Sequence, residues 1–119
     1  MGKHNEFGKE GEAIATALLE KKGYHIRERN YRYLKAEIDI IAEKNGILAI
    51  VEVRARSTDR VMSIAETITK KKIQLLVAAA DHYVTEKSLA VEVRFDIIAI
   101  LKNRYQFKVE HLESAFFHF

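Results

Sequence analysis

Apolar residues recur along this chain at two periods, and the changes between them lay out the elements. From Asn5 to Lys22 the spacing is helical: Phe7, Ile14, Ala15 and Leu18 share one face, and Gly23 supplies a C′ stop. From Tyr24 to Tyr33, the residues Tyr24, Ile26, Tyr31 and Tyr33 interleave with His25, Arg27, Arg29 and Arg32, which predicts a basic first strand. Two runs rich in β-branched residues, 37–43 and 47–54, flank Asn45-Gly46. A polar loop over 55–62 follows, with Arg56, Ser57, Thr58, Asp59 and Arg60. Ser63 to about Thr85 reads as a second helix, with Ile64, Ile68, Leu75, Ala79 and Tyr83 on one stripe. Leu89–Leu101 reads as a long strand alternating over Val91, Val93, Phe95 and Ile97, and Lys102-Asn103-Arg104 turns it into a last strand, Tyr105 to about His111. The tail from Glu113 reads as a short helical turn whose Phe116, Phe117 and Phe119 dock, because a row of exposed aromatics invites aggregation. The order is α-β-β-β-α-β plus a final strand. A meander joined to a helical crossover predicts an α/β fold, a mixed sheet with helices packed on it.

Asn-Gly between two such runs is the strongest short-range hairpin signal, since a type I′ turn needs positive φ at both central positions. With Asn45 and Gly46 as that turn, paired residues have numbers summing to 91. Asp39 then faces Glu52, and Glu37 faces Arg54. Like charges opposite one another on neighbouring strands are destabilising, and a divalent cation is the simplest compensation. A hard ion such as Mg²⁺ takes oxygen ligands and keeps several waters. The plainer reading puts both carboxylates in solvent on an edge hairpin, neutralised by an arginine. The flanking Ile38, Ile40, Ile41, Ile50 and Val51 oppose it, because a hairpin apolar on both faces belongs in the middle of a sheet.

Composition adds limits. The 119 residues suit one domain with its own core, 48% hydrophobic and 31% charged. With no cysteine there are no disulfides or thiolate metal sites, which fits a cytoplasmic protein. No apolar stretch is long enough to span a bilayer, no basic-then-apolar leader is present, and no membrane partner is expected. A net charge of +3 permits nucleic-acid binding without demanding it. The histidines have no metal-ligand spacing, and neither a Ser/His/Asp order nor a glycine-rich phosphate loop is present.

Three more residues are candidates, each beside a plainer alternative. Glu12 lies at the margin of the first helix's apolar stripe; a solvated helix-surface glutamate is the ordinary case. Lys72 falls inside the stripe of the second helix, where it either snorkels its ammonium to the edge or reaches a phosphate or the carboxylates. Arg54 emerges on the same face as Glu52, either as a salt bridge to Glu37 or as a bidentate phosphate cation.

Taken together, Glu12 on a helix, Glu37-Ile38-Asp39 and Glu52-Val53-Arg54 on strands, and Lys72 on the next helix resemble the PD-(D/E)xK nuclease superfamily. More closely, the chain resembles the uncharacterised bacterial YraN-like family, related to archaeal Holliday-junction resolvases. The matching stretches are Gly8-Lys9-Glu10-Gly11-Glu12-Ala13, Gly23-Tyr24, Arg29-Asn30-Tyr31-Arg32, Glu37-Ile38-Asp39-Ile40-Ile41-Ala42, Val51-Glu52-Val53-Arg54-Ala55-Arg56, Lys72, Arg94-Phe95-Asp96 and Ala115-Phe116. They span nearly the full length and are specific together, weak singly. There are two departures: Ala36 stands where the family has glycine, and Arg54 stands where the superfamily has lysine.

The resemblance implies a restriction-endonuclease-like three-layer fold and a metal-dependent endonuclease cutting phosphodiester bonds in DNA, branched or otherwise structured. It implies Mg²⁺ or Mn²⁺ on Asp39 and Glu52, with Glu12 touching the metal directly or through water. Arg54 and Lys72 would offset charge on the phosphorus, and Arg27, Arg29, Arg32, Arg56 and Lys70 would hold the backbone. A homodimer follows by analogy with the resolvases. Arginine stabilises charge but is a poor proton acceptor, so Lys72 is the candidate to take over the missing lysine's role. Two alternatives stand beside this: a nucleic-acid-binding module on a nuclease scaffold that no longer cuts, and a protein-interaction adaptor working through its aromatic tail.

Overall fold

The computed structural model describes residues 2–56, 68–102 and 106–116, with the side chains of the first helix described from Gly8 onward. Seven elements follow one another: α1 (Gly2–Lys21), β1 (His25–Tyr33), β2 (Ala36–Lys44), β3 (Ile47–Arg56), α2 (Lys70–Lys87), β4 (Glu92–Lys102) and β5 (Phe107–Leu112). The strands form one sheet in the order β1-β2-β3-β4-β5. Only β3 and β4 pair in parallel; the other neighbours are antiparallel. The helices cover opposite faces. Ala15 and Leu19 of α1 pack with Tyr24, Ala49, Val51, Ile98 and Ile100, while Leu76, Ala79, Ala80 and Tyr83 of α2 pack with Leu48, Ile50, Phe95 and Ile97. This is the three-layer, restriction-endonuclease-like α/β arrangement. No helix among the described residues is long and apolar enough to cross a membrane.

Two backbone devices set α1 over the sheet. Gly11 lies at its point of closest approach: a Cβ there would meet Ile100 Cδ1 at 3.2 Å and Ala55 Cβ at 3.3 Å. At its far end Gly23 takes φ 97°, with Gly23 N–H donating to Glu20 O and Tyr24 N–H to Leu19 O. These two bonds form a Schellman cap, and Tyr24 closes it by packing in the same cluster as Leu19.

Several expected boundaries shift. The second helix starts at Lys70, not Ser63: Ile68 is a bend and Thr69 an extended N-cap (φ −75°, ψ 155°) whose hydroxyl accepts from Lys72 N–H. Ile68 is still buried, ahead of the helix, and Leu76 joins the core stripe. The helix runs past Thr85 to Lys87, where Ser88 adopts the left-handed conformation. β4 begins at Glu92 and does not alternate; Phe95 to Leu101 is buried throughout, because a central strand with a helix layer on each side has no solvent face. β5 runs from Phe107 to Leu112, and the segment at Glu113-Ser114 is a turn, not a helical one. Phe116 docks against Phe95, with ring centroids 5.4 Å apart. The expectations for the side chain of Phe7 and for Ser57, Thr58, Asp59, Arg60, Ile64, Asn103, Arg104, Tyr105, Phe117 and Phe119 lie outside the described residues.

Candidate active site

The Asn45-Gly46 turn has positive φ at both positions (50° and 78°), and the hairpin follows the 91 register from Lys44↔Ile47 to Ile40↔Val51. There the ladder stops. Ile38 packs in the α2-side core, whereas Ile40, two residues on, packs in the α1-side core. In a regular strand both would share a face, so β2 turns over at Asp39. Its β1 neighbour turns with it, around Asn30 at φ 54°, so Arg29 meets α1 while Tyr31 meets Tyr83 of α2. Where β2 and β3 part, Asp39 does not pair with Glu52 across a ladder as expected. Its Oδ2 instead accepts from the backbone N–H of Val53 at 2.8 Å.

Glu52 is 6% exposed. Its Oε2 is shared by two cations, Arg54 Nη2 at 3.0 Å and Lys72 Nζ at 3.4 Å, while its Oε1 is buried with no partner among the described residues. The Arg54 Nε is likewise buried and unsatisfied. Arg54 therefore turns back onto its own strand, and the expected pairing with Glu37 is absent; Glu37 instead meets Arg32 at 3.6 Å, its register partner on β1. Lys72 reaches in from the first turn of α2, which Thr69 caps. Sequence reasoning overlooked Thr69, although threonine is among the residues preferred at a helix N-cap; the lysines that follow it mask the signal, since a first turn favours acidic residues.

Burial pushes the Asp39 carboxyl up to about 7; Glu52 and Glu12 push the same way, against the Val53 N–H and Lys72. Both of the other carboxylates thus act on Asp39 at the point where β2 and β3 diverge. Glu12 lies one residue beyond the Gly11 approach, with Arg29 Nη2 3.8 Å from its Oε1. Among the described residues, no group of three or more histidine, aspartate or glutamate side chains is arranged to hold a metal ion. Glu12 therefore does not join Asp39 and Glu52 in a three-carboxylate metal group as expected, and a pair of carboxylates is the most that these residues could offer a cation. Their mutual repulsion and the orphaned Glu52 Oε1 suit a hard divalent ion that keeps most of its water.

The remaining cations divide by position. Arg29, Arg32 (78% exposed) and the exposed Lys70 lie toward the carboxylate end of the sheet, as does Arg56, whose Nη1 donates to Ala55 O. Arg27 is not brought there. It sits near the Asn45-Gly46 end, bonded to Glu43 at 2.8 Å and to the Tyr83 hydroxyl at 3.0 Å.

A second polar cluster, which sequence reasoning passed over, lies on the α1 side of β4. The fully buried Asp96 accepts from Arg94, from Ser114 N–H and from His111 Nε2 at 2.8 Å. Lys22 stands 2.7 Å from His111 Nδ1, and Arg94 also donates to the Tyr24 hydroxyl. Burial pushes the Asp96 carboxyl up, but the bonds from His111, Arg94 and Ser114 outweigh it and hold it below the usual carboxylate range. This cluster ties β4, β5, the closing turn and the end of α1 together. The sequence signals for it were Asp96 between Phe95 and Ile97 in a hydrophobic strand and the matching stretch Arg94-Phe95-Asp96, to which no role was given.

Comparison with known proteins covers the whole arrangement. The family described as "Uncharacterised protein family UPF0102" matches residues 11–100, a span containing Glu12, Asp39, Glu52, Arg54 and Lys72. The chain is similar to the UPF0102 protein FP2501 of Flavobacterium psychrophilum, 51% identical over 119 residues and all of both chains. It is equally similar, with the same coverage, to a UPF0102 protein of Christiangramia forsetii (51%). A UPF0102 protein of Phocaeicola vulgatus is 44% identical over 98% of this chain and 97% of its own.

Proposed function

Within the UPF0102 (YraN) family, to which the chain belongs, we propose that this protein is a divalent-metal-dependent endonuclease acting on DNA. The observation that carries the reading is the Asp39–Glu52 pair, Glu52 buried and Asp39 half-buried: two repelling carboxylates, one oxygen without a partner among the described residues, and two cations drawn onto the other oxygen of Glu52. A purely structural pair would gain by losing one charge.

Asp39 and Glu52 would hold Mg²⁺ or Mn²⁺, which would acidify water and polarise the scissile phosphate. The Val53 N–H fixes the Asp39 carboxylate in place. Lys72 and Arg54 lie where charge grows on a phosphate oxygen during displacement, and prepositioned cations of this kind carry much of phosphoryl-transfer catalysis. Lys72 is the residue able to pass a proton, since the guanidinium of Arg54 stays charged. Glu12 holds Arg29 at the margin, and Arg29, Arg32, Arg56 and Lys70 grip the backbone without reading sequence. A binding module that does not cut is the second reading. The feature favouring it is Arg54, together with the neutralisation of Glu52 by the protein's own cations.

The test is cleavage of labelled single-stranded, duplex, flap and four-way-junction DNA in Mg²⁺ or Mn²⁺, beside Asp39→Ala and Glu52→Ala. Cutting that vanishes in both variants supports the nuclease. Binding without cutting, unchanged in both, selects the binding module.

A further inference from the structure

The sheet has two two-residue hairpins, and they are built differently. The β2–β3 turn uses Asn45-Gly46, the residues that tolerate positive φ. The β1–β2 turn is closed by the pair Tyr33↔Ala36, with Leu34 and Lys35 at its tip. Leu34 has φ 56°, at the first central position where glycine is the usual occupant. It is also 84% exposed, more so than the other large hydrophobic residue standing out among those described, Phe107 at 52%. A leucine here costs backbone strain and apolar exposure together, and nothing among the described residues offsets either. Strain of this kind gathers at functional positions.

The tip's position gives it a role. It precedes Asp39 by few enough residues to lie about 10–15 Å from it along β2, at the same end of the sheet as the carboxylates. Its base is braced: Tyr33 stacks on His82 of α2, with centroids 4.0 Å apart and 16° between planes. Cations flank it, with Arg32 78% exposed on β1 beside Glu37, and the exposed Lys35 adjacent in the turn. A rigid tip carrying one apolar side chain between two cations matches the way proteins part stacked bases: the apolar group enters a step while the cations hold the phosphates on either side.

We propose that Leu34 is a wedge, inserted into a base step of DNA held at the Asp39–Glu52 site, with Arg32 and Lys35 on the flanking phosphates. This rests on the nucleic-acid reading given above and narrows its substrate. Parting a stacked step costs a few kcal/mol, least where the step is already open. The wedge therefore selects DNA with an interrupted stack, such as a flap or junction, over continuous duplex.

The test uses the full chain in EDTA, so that cutting does not interfere, with a four-way junction and a matched duplex each carrying 2-aminopurine, which brightens on unstacking. Leu34→Asn is the chosen variant, because asparagine relaxes into a left-handed φ; a melt confirms folding, and Leu34→Met supplies the conservative rescue. Wild type should brighten the junction probe on binding. Leu34→Asn should lose most of that rise and about tenfold of its preference for junction over duplex, equivalent to about 1.4 kcal/mol, and Leu34→Met should keep both. Brightening by Leu34→Asn equal to wild type overturns the wedge, and if wild type still cuts in Mg²⁺ the nuclease reading stands without it. Loss of a dimer in Leu34→Asn with DNA behaviour unchanged also overturns it, assigning the leucine to a second copy of the chain. Binding to neither DNA overturns the wedge and the nucleic-acid reading together.

Discussion

Asp39 is held in the fold against its own ionisation. Its carboxyl is pushed up to about 7, first by burial and then by Glu52. Proton uptake therefore favours the folded state, and the benefit is lost as pH rises from about 4 through 7. Asp39→Asn removes that cost and keeps an oxygen for the Val53 N–H. In EDTA at pH 8 the variant should melt on the order of 5 °C above wild type, while losing all Mg²⁺-dependent stabilisation and cutting. Scanning calorimetry with and without Mg²⁺ checks it; an Asp39→Asn protein less stable than wild type at pH 8 would remove the electrostatic account of the site. The hairpin register was legible up to Ile40↔Val51 because Asn-Gly fixes the turn chemistry locally. The last step to Asp39 was hidden by the reversal of faces.

Elements, in turn, deliver side chains that the sequence could name but not place. Glu12 reaches the carboxylates because Gly11 lets α1 settle onto Val53, Ala55 and Ile100. Gly11→Leu should overpack that contact, lowering stability by about 1–3 kcal/mol and lifting Glu12 away. Cutting should then fall further than the folded fraction measured by circular dichroism under the same conditions; a loss that only tracks unfolding would mean the approach of α1 matters for packing alone. Lys72 reaches Glu52 because Thr69 caps α2 so that it begins at Lys70. The sequence-based start at Ser63 was too early: Ile64 and Ile68 continue the apolar spacing, and with no proline the pattern carries no stop. Thr69→Ala should cost about 1 kcal/mol and slow cutting by more than that loss explains, because the first turn holding Lys72 frays. Lys72→Ala should cut at least 100-fold more slowly with little change in melting temperature. Rates measured on both variants would separate positioning from chemistry.

At the scale of the whole molecule, the half-buried Asp39 and the fully buried Asp96, on either side of the sheet's centre, carry opposite pH dependences. Asp96 is held below the usual range by His111, Arg94 and Ser114 N–H. Its contribution is present above pH 4 and lost as pH falls through its lowered value. Asp39 works the other way, present below pH 4 and lost on rising through 7. Without divalent ions the two leave stability highest where both contributions are present, near pH 4. A cation on Asp39 and Glu52 competes with the proton on Asp39. Its affinity should climb up to tenfold per pH unit until about pH 7 and then level off. Melting curves from pH 3 to 9 in EDTA should therefore peak near pH 4, and in 10 mM Mg²⁺, on the order of a working concentration, the peak should broaden or move toward neutral pH. Asp39→Asn should flatten the alkaline limb in both, and Asp96→Asn should remove the acid limb while leaving the Mg²⁺ response intact. A profile that ignores Mg²⁺ at every pH would show that the Asp39–Glu52 pair holds no cation, and the binding-module reading would then take over.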